Sequence, residues 1–269
     1  MARFLKSRVK AHGTAPGSLI FIGSKKTEIP EIHLMIYNRD NVMEKKVDTL
    51  KEIPSAIPDN TVLWINIYGL HNTELISEAG EYFDIPPLEL EDIMNTDQRP
   101  KISESEKNLT IFLKILDYRE DTGRITGDQV SLILGKNYVI TFQEKIRHFF
   151  EPVRERIRTT HGRIRQLGAD YLAYVLIDTL VDSYLHSIEN LGMSMESLEN
   201  EVLHLSKKET LGKIYKLKTN ISFIRKAVLP LKEIMLFLNR TESKLIQKKT
   251  LNFLNDLNDL TTQALEATE

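Results

Sequence analysis

Residues 177–205 read IDTLVDSYLHSIENLGMSMESLENEVLHL. Apolar positions fall at Ile177, Val181, Tyr184, Ile188, Leu191, Met195, Leu198, Val202 and Leu205, in steps that alternate four and three. This heptad period belongs to a long helix with one continuous apolar seam. Ser206-Lys207-Lys208-Glu209 interrupts it. A second seam then runs Ile214, Leu217, Ile221, Ile224, Val228, Leu231, Met235, Leu238. Two such helices joined by a short polar break predict an antiparallel hairpin, with arms of roughly 30–38 residues and about 45–57 Å. Such arms are longer than a compact core pair needs, and Pro230 inside the second seam predicts a kink.

Downstream, Leu245, Ile246, Leu251, Leu254, Leu257, Leu260 and Leu265 suggest one more helix. A stripe through it reads Leu254, Leu257, Thr261, Ala264, Thr268. The chain reaches Glu269 without a Gly cap, a Pro or a basic last turn, so it reads as a helix cut before its end.

Upstream, the character is mixed. Leu19–Ile22, Ile32–Tyr37 and Val62–Ile67 read as strands, the last rich in β-branched and aromatic residues. Asn72 is placed to cap a helix carrying Leu75, Ile76, Ala79 and Phe83. Pro86-Pro87 opens another, with Leu88, Leu90, Ile93 and Met94, because a first helical turn tolerates proline. Strands are expected at Leu109–Leu116, Val130–Leu134 and Tyr138–Phe142. The Asp121-Thr122-Gly123 turn links the first two, and Gly135-Lys136-Asn137 makes a tight hairpin of the last two. The boundaries expected are a basic tail over 1–17, a mixed α and β domain over 18–145, the hairpin over 146–240 and a final helix over 241–269.

Composition narrows the function. In 269 residues, 36 basic side chains meet 38 acidic ones, for a formal charge of -2, so no basic field for nucleic acid exists. Cysteine is absent, which removes disulfides, thiolate metal sites and thiol catalysis and fits a reducing compartment. No run of about 18 uncharged apolar residues offers a membrane span, and the basic start MARFLKSRVK lacks the apolar stretch of a secretory signal.

The standard phosphate-loop, dinucleotide and nucleophile-elbow motifs are missing. No two of the seven histidines are three or four apart, so a helical zinc pair is excluded, and no catalytic activity is expected. Carboxylates remain. Glu89, Glu91, Asp92 and Asp97 cluster in PLELEDIMNTDQRPK; Asp178 and Asp182 share a helix face, as do Asp256 and Asp259. Oxygen-only groups suit hard cations, although a solvated helix face is the ordinary role of any one such pair.

The segments Trp64-Ile65-Asn66-Ile67-Tyr68-Gly69-Leu70-His71-Asn72 and Leu90-Glu91-Asp92-Ile93-Met94-Asn95-Thr96-Asp97-Gln98-Arg99-Pro100-Lys101 are similar to the CorA family of magnesium transporters. So, in order, are QVSLIL at 129–134, FQEK at 142–145, PVRERIR at 152–158, ADYL at 169–172 and Pro230-Leu231. The resemblance implies a cytosolic α/β/α sandwich with a mixed, partly antiparallel sheet, then the long antiparallel hairpin, then the start of a stalk helix that continues into the membrane. It implies a homopentamer gated by Mg²⁺, with Co²⁺ as another cargo, at the cytoplasmic side of the cell membrane.

The family's Gly-Met-Asn pore signature is absent, and Gly192-Met193-Ser194 sits inside the hairpin seam, so the chain corresponds to the part before the membrane. In the family, an aspartate of the LED segment faces a stalk aspartate of the neighbouring subunit; the matching residues are Asp92 and Asp256. Glu91 and Asp178 match a second, nearby ion position, with Asp259 close by; Leu260 stands where some members have histidine. The rival readings are a zinc-transporting relative and a soluble scaffold whose hairpin binds partner helices. A metal-dependent hydrolase is disfavoured, since no histidine or general base accompanies the carboxylates.

Overall fold

The computed structural model describes residues 13–54, 57–119, 121–159, 162–204 and 208–269. Its strands are β1 (Glu31–Tyr37), β2 (Val42–Val47), β3 (Val62–Tyr68), β4 (Lys101–Glu104), β5 (Leu109–Arg119), β6 (Arg124–Leu134) and β7 (Tyr138–Gln143). They form one sheet in the order β2-β1-β3-β7-β6-β5-β4. β3 and β7 pair in parallel and all other neighbours antiparallel. The expected β6–β7 hairpin is present; β5 and β6 also pair antiparallel across the expected turn, where Gly123 supplies the left-handed φ of +55°.

The sheet is buried on both sides. One face packs on α1 (Thr73–Phe83) and α2 (Pro87–Met94) through Leu63, Ile65, Ile67, Ile133, Ile140 and Phe142. The other packs on the helices that follow β7 through Trp64, Leu113, Ile115, Val130 and Leu132. These helices are α3 (Glu151–Thr159), α4 (Arg163–Gln166), α5 (Ala169–His204), α6 (Lys208–Arg240) and α7 (Lys248–Glu266). The α/β/α sandwich and the long helices are therefore as expected. Burial on both faces explains why every residue of β3 is inaccessible.

Asn72 caps α1 by accepting the Leu75 N–H at 3.0 Å, and Pro87 occupies the first turn of α2. The centre of the break between the arms, residues 205–207, lies outside the described residues. So does most of the expected basic tail, residues 1–12. α6 runs as one helix through Pro230. The seam is buried from Ile177 to Tyr184 and from Ile224 to Leu238, where the sheet and α7 cover it. Near the hairpin tip Met195 and Ile214 are exposed. Leu254, Leu257, Thr261 and Ala264 of α7, with Thr268 just past its end, are all buried, the stripe expected.

Three local expectations need correction. Leu19–Ile22 is no strand: only Ile22 pairs, in an isolated parallel bridge to Asn95, because the segment is a strap across the end of α2. Leu245 and Ile246 lie in the turn before α7. β2 and β4 were not expected, since VMEKKV and KISE carry the charge that protects sheet edges. Among the described residues, no helix is long and apolar enough to cross a membrane.

Candidate cation site

α2 sorts its carboxylates by face. Leu90, Ile93 and Met94 point into the core. Glu89 turns inward too, accepting the Ser103 hydroxyl at 2.9 Å and the Thr110 hydroxyl, and so ties the helix to β4 and β5. Glu91 and Asp92 are half-buried at the outer side. Glu91 Oε2 accepts the Gly17 N–H at 2.7 Å. Gly17 has φ +82°, and a Cβ there would sit 3.1 Å from Pro87 Cβ, so the strap passes close over α2. The Asp92 carboxylate holds Nζ of Lys101, the first residue of β4, at 2.5 Å.

A second group sits where α5 and α7 run side by side. Asp178 and Asp182, one turn apart on α5, lie with Asp256 of α7 within electrostatic reach. Burial pushes the half-buried Asp178 carboxyl up to about 6; Asp182 pushes the same way, Arg156 opposes them, and Asp256 adds to the rise. The Tyr174 hydroxyl, one turn earlier, is also raised, by burial and then by Asp178. Beneath this face Tyr171, Tyr174 and Phe253 pack ring against ring at 5.1–5.5 Å, fixing the register of α5 on α7. Asp256 and Asp259 are exposed, one turn apart.

Three carboxylates opposed by one arginine are a site short of positive charge. All the donors are hard oxygens, so a divalent cation such as Mg²⁺ suits them. Sequence spacing found the pair Asp178 and Asp182 and, apart from it, Asp256; the α5–α7 packing brings the three within electrostatic reach. It does not bring Glu91 and Asp92 to them, because α2 packs on the opposite face of the sheet. Among the described residues, no three histidine or acidic side chains of one chain are gathered closely enough to hold a metal ion. Within one chain the two groups stay apart. Two supporting residues escaped sequence reasoning. Arg156 balances Asp178, and Gln129 reaches the end of α2. The one legible signal was a polar glutamine on a strand buried on both faces.

A family model described as CorA-like Mg2+ transporter protein matches residues 59–269. The cobalt/magnesium transport protein CorA of Thermotoga maritima is 40% identical over 257 residues, covering 96% of this chain and 73% of the relative. The solved soluble domain of CorA from Methanocaldococcus jannaschii superposes with a TM-score of 0.69 at 19% identity, over 87% of this chain and 90% of that one. The complete CorA magnesium transporter structure from the same organism gives 0.69 at 20% identity, over 90% and 72%.

Proposed function

The chain belongs to the family of CorA-like Mg2+ transporter proteins, and from that membership we propose that it is the Mg²⁺-sensing, gating part of a divalent-cation transporter. In this reading it lies on the cytoplasmic side of a membrane, assembles as a homopentamer and has no catalytic role. Mg²⁺ is both regulatory ligand and cargo, and Co²⁺ is a second cargo, the two metals in the relative's name.

One observation carries the reading: a carboxylate face on α5 and α7 centred on the half-buried Asp178, with the Glu91 and Asp92 pair of α2 on the opposite side of the sheet. Asp92 of one copy and Asp256 of the next would hold one ion. Glu91 and Asp178 would line a second position, with Asp259 beside it. The cation supplies positive charge at a junction where carboxylates otherwise repel. With it bound, neighbouring copies are tied into a symmetric closed ring. Without it, repulsion loosens the ring and the pore opens. The ion shifts this equilibrium only by its preference for the closed arrangement. Mg²⁺ keeps most of its water and takes one or two carboxylates, which suits weak sensing of an abundant ion.

The test compares thermal stability and sedimentation with and without Mg²⁺ in the wild type and in Asp92→Ala/Asp256→Ala. The wild type should gain stability and associate on adding Mg²⁺, and the double variant should do neither. An equal response in both would defeat the site.

A further inference from the structure

Gln129 sits on β6, fully buried, in the middle of the sheet. Its Oε1 finds no partner in the structure, and an Nε2 left unpaired as well would add to the hydration already lost. Its Nε2 reaches instead across to α2 and donates to two carbonyls, Asp92 O at 3.2 Å and Ile93 O at 3.0 Å. The last carbonyls of any helix lack partners within it. α2 is only eight residues long, and the turn that Gln129 grips is the turn that carries Asp92.

Gln129 is itself braced. Its backbone N–H donates to Glu144 Oε1 at 2.5 Å, and Glu144 Oε2 pairs with Lys26 Nζ at 2.6 Å. Lys26 also pairs with Asp128, the preceding residue of β6, at 2.6 Å. The strap that carries Lys26 is bound to the other side of the same turn, through Ile22 N–H to Met94 O at 3.0 Å and Thr96 N–H to Ile22 O at 2.9 Å. The backbone of the Asp92 turn is thus fixed from the sheet by one buried amide and from the surface by the strap.

We propose that Gln129 is a positioning residue for the cation response: it touches no ion, and it holds the α2 turn so that Asp92 is presented at the angle a neighbouring copy requires. This rests on reading Asp92 as a cation ligand. Ser131, two residues along the same strand, offers a control. It is fully buried on the same side, and its hydroxyl has no partner in the structure.

The experiment measures the Mg²⁺ midpoint for protection from limited proteolysis in the wild type, Gln129→Met, Gln129→Glu, Ser131→Ala and Asp92→Ala. Methionine keeps the volume and removes both donors; glutamate keeps the shape and turns a carboxylate toward two carbonyls. Gln129→Met should raise the midpoint about tenfold, the usual scale for a group that orients a metal ligand, with Gln129→Glu higher still. The plateau should be unchanged, and Ser131→Ala should leave the midpoint alone. In an Asp92→Ala background, Gln129→Met should shift nothing further.

A role in folding alone would lower the melting temperature without Mg²⁺ and spare the midpoint. If Gln129→Met does not fold, Gln129→Asn keeps the amide one methylene short and carries the same expectation. A wild-type midpoint in the Gln129 variants, with the response lost in Asp92→Ala, would overturn the positioning role and leave the cation site standing. A normal response in Asp92→Ala would overturn the cation site.

Discussion

Asp178 gives the sharpest quantitative prediction, through Asp178→Asn. Its carboxyl titrates near 3.8 when unperturbed and is pushed up to about 6 in the folded chain. The native state therefore holds this proton more tightly than the unfolded state between those values. The ionised form is the strained one, so the cost is fully present above pH 6 and vanishes below about pH 4. Two units correspond to about 3 kcal/mol, which solvent screening of a half-buried group trims to about 2 kcal/mol. Asp178→Asn removes the charge and keeps the shape. Without Mg²⁺ it should melt about 5 °C above the wild type at pH 7.5, and the gap should close as the pH falls to 4.

The same proton competes with the cation. A group titrating at about 6 is mostly ionised at pH 7 and about nine-tenths protonated at pH 5, so the wild-type Mg²⁺ midpoint should weaken about tenfold between them. In Asp178→Asn that pH dependence should disappear. Differential scanning calorimetry against pH, with a Mg²⁺ titration at each value, reads both effects. A stability gap that does not change with pH, or a wild-type midpoint equal at pH 5 and 7, would refute the reasoning.

The salt bridges give two more expectations. Lys101 neutralises Asp92 at 2.5 Å and must yield it to a cation, so Lys101→Met should lower the Mg²⁺ midpoint by up to about fivefold in a thermal-shift titration. Lys26 is held 2.6 Å from both Asp128 and Glu144, which are buried; Lys145 and Arg147 still hold Asp128 without it, so Lys26→Met removes one partner of each carboxylate and should cost about 2 kcal/mol by urea denaturation.

The elements legible in the sequence were those whose local chemistry and burial agree. Val62–Tyr68 is β-branched and aromatic and lies between two helical layers. Asn72 is a cap by residue type and a cap in the structure. The paired seams are long enough that no other period fits them. Edge strands β2 and β4 hid because their job is to look unlike strands. Leu19–Ile22 misled because a strap pressed on a helix end needs apolar residues too. The site was less legible. Helical spacing exposed the pair Asp178 and Asp182, but nothing local says that α7 returns beside α5 to add Asp256. The reach of Gln129 to Ile93, 36 residues away in sequence, exists only once β6 and α2 are stacked.

The central claim is that Asp92 of one copy meets Asp256 of the next. The chain has no cysteine, so single cysteines report cleanly. Asp92→Cys chains mixed with Asp256→Cys chains in the assembled protein, then oxidised, should give a disulfide-linked pair that neither variant forms alone. Equal cross-linking in the mixture and in the separate variants, or none in any of them, would contradict it.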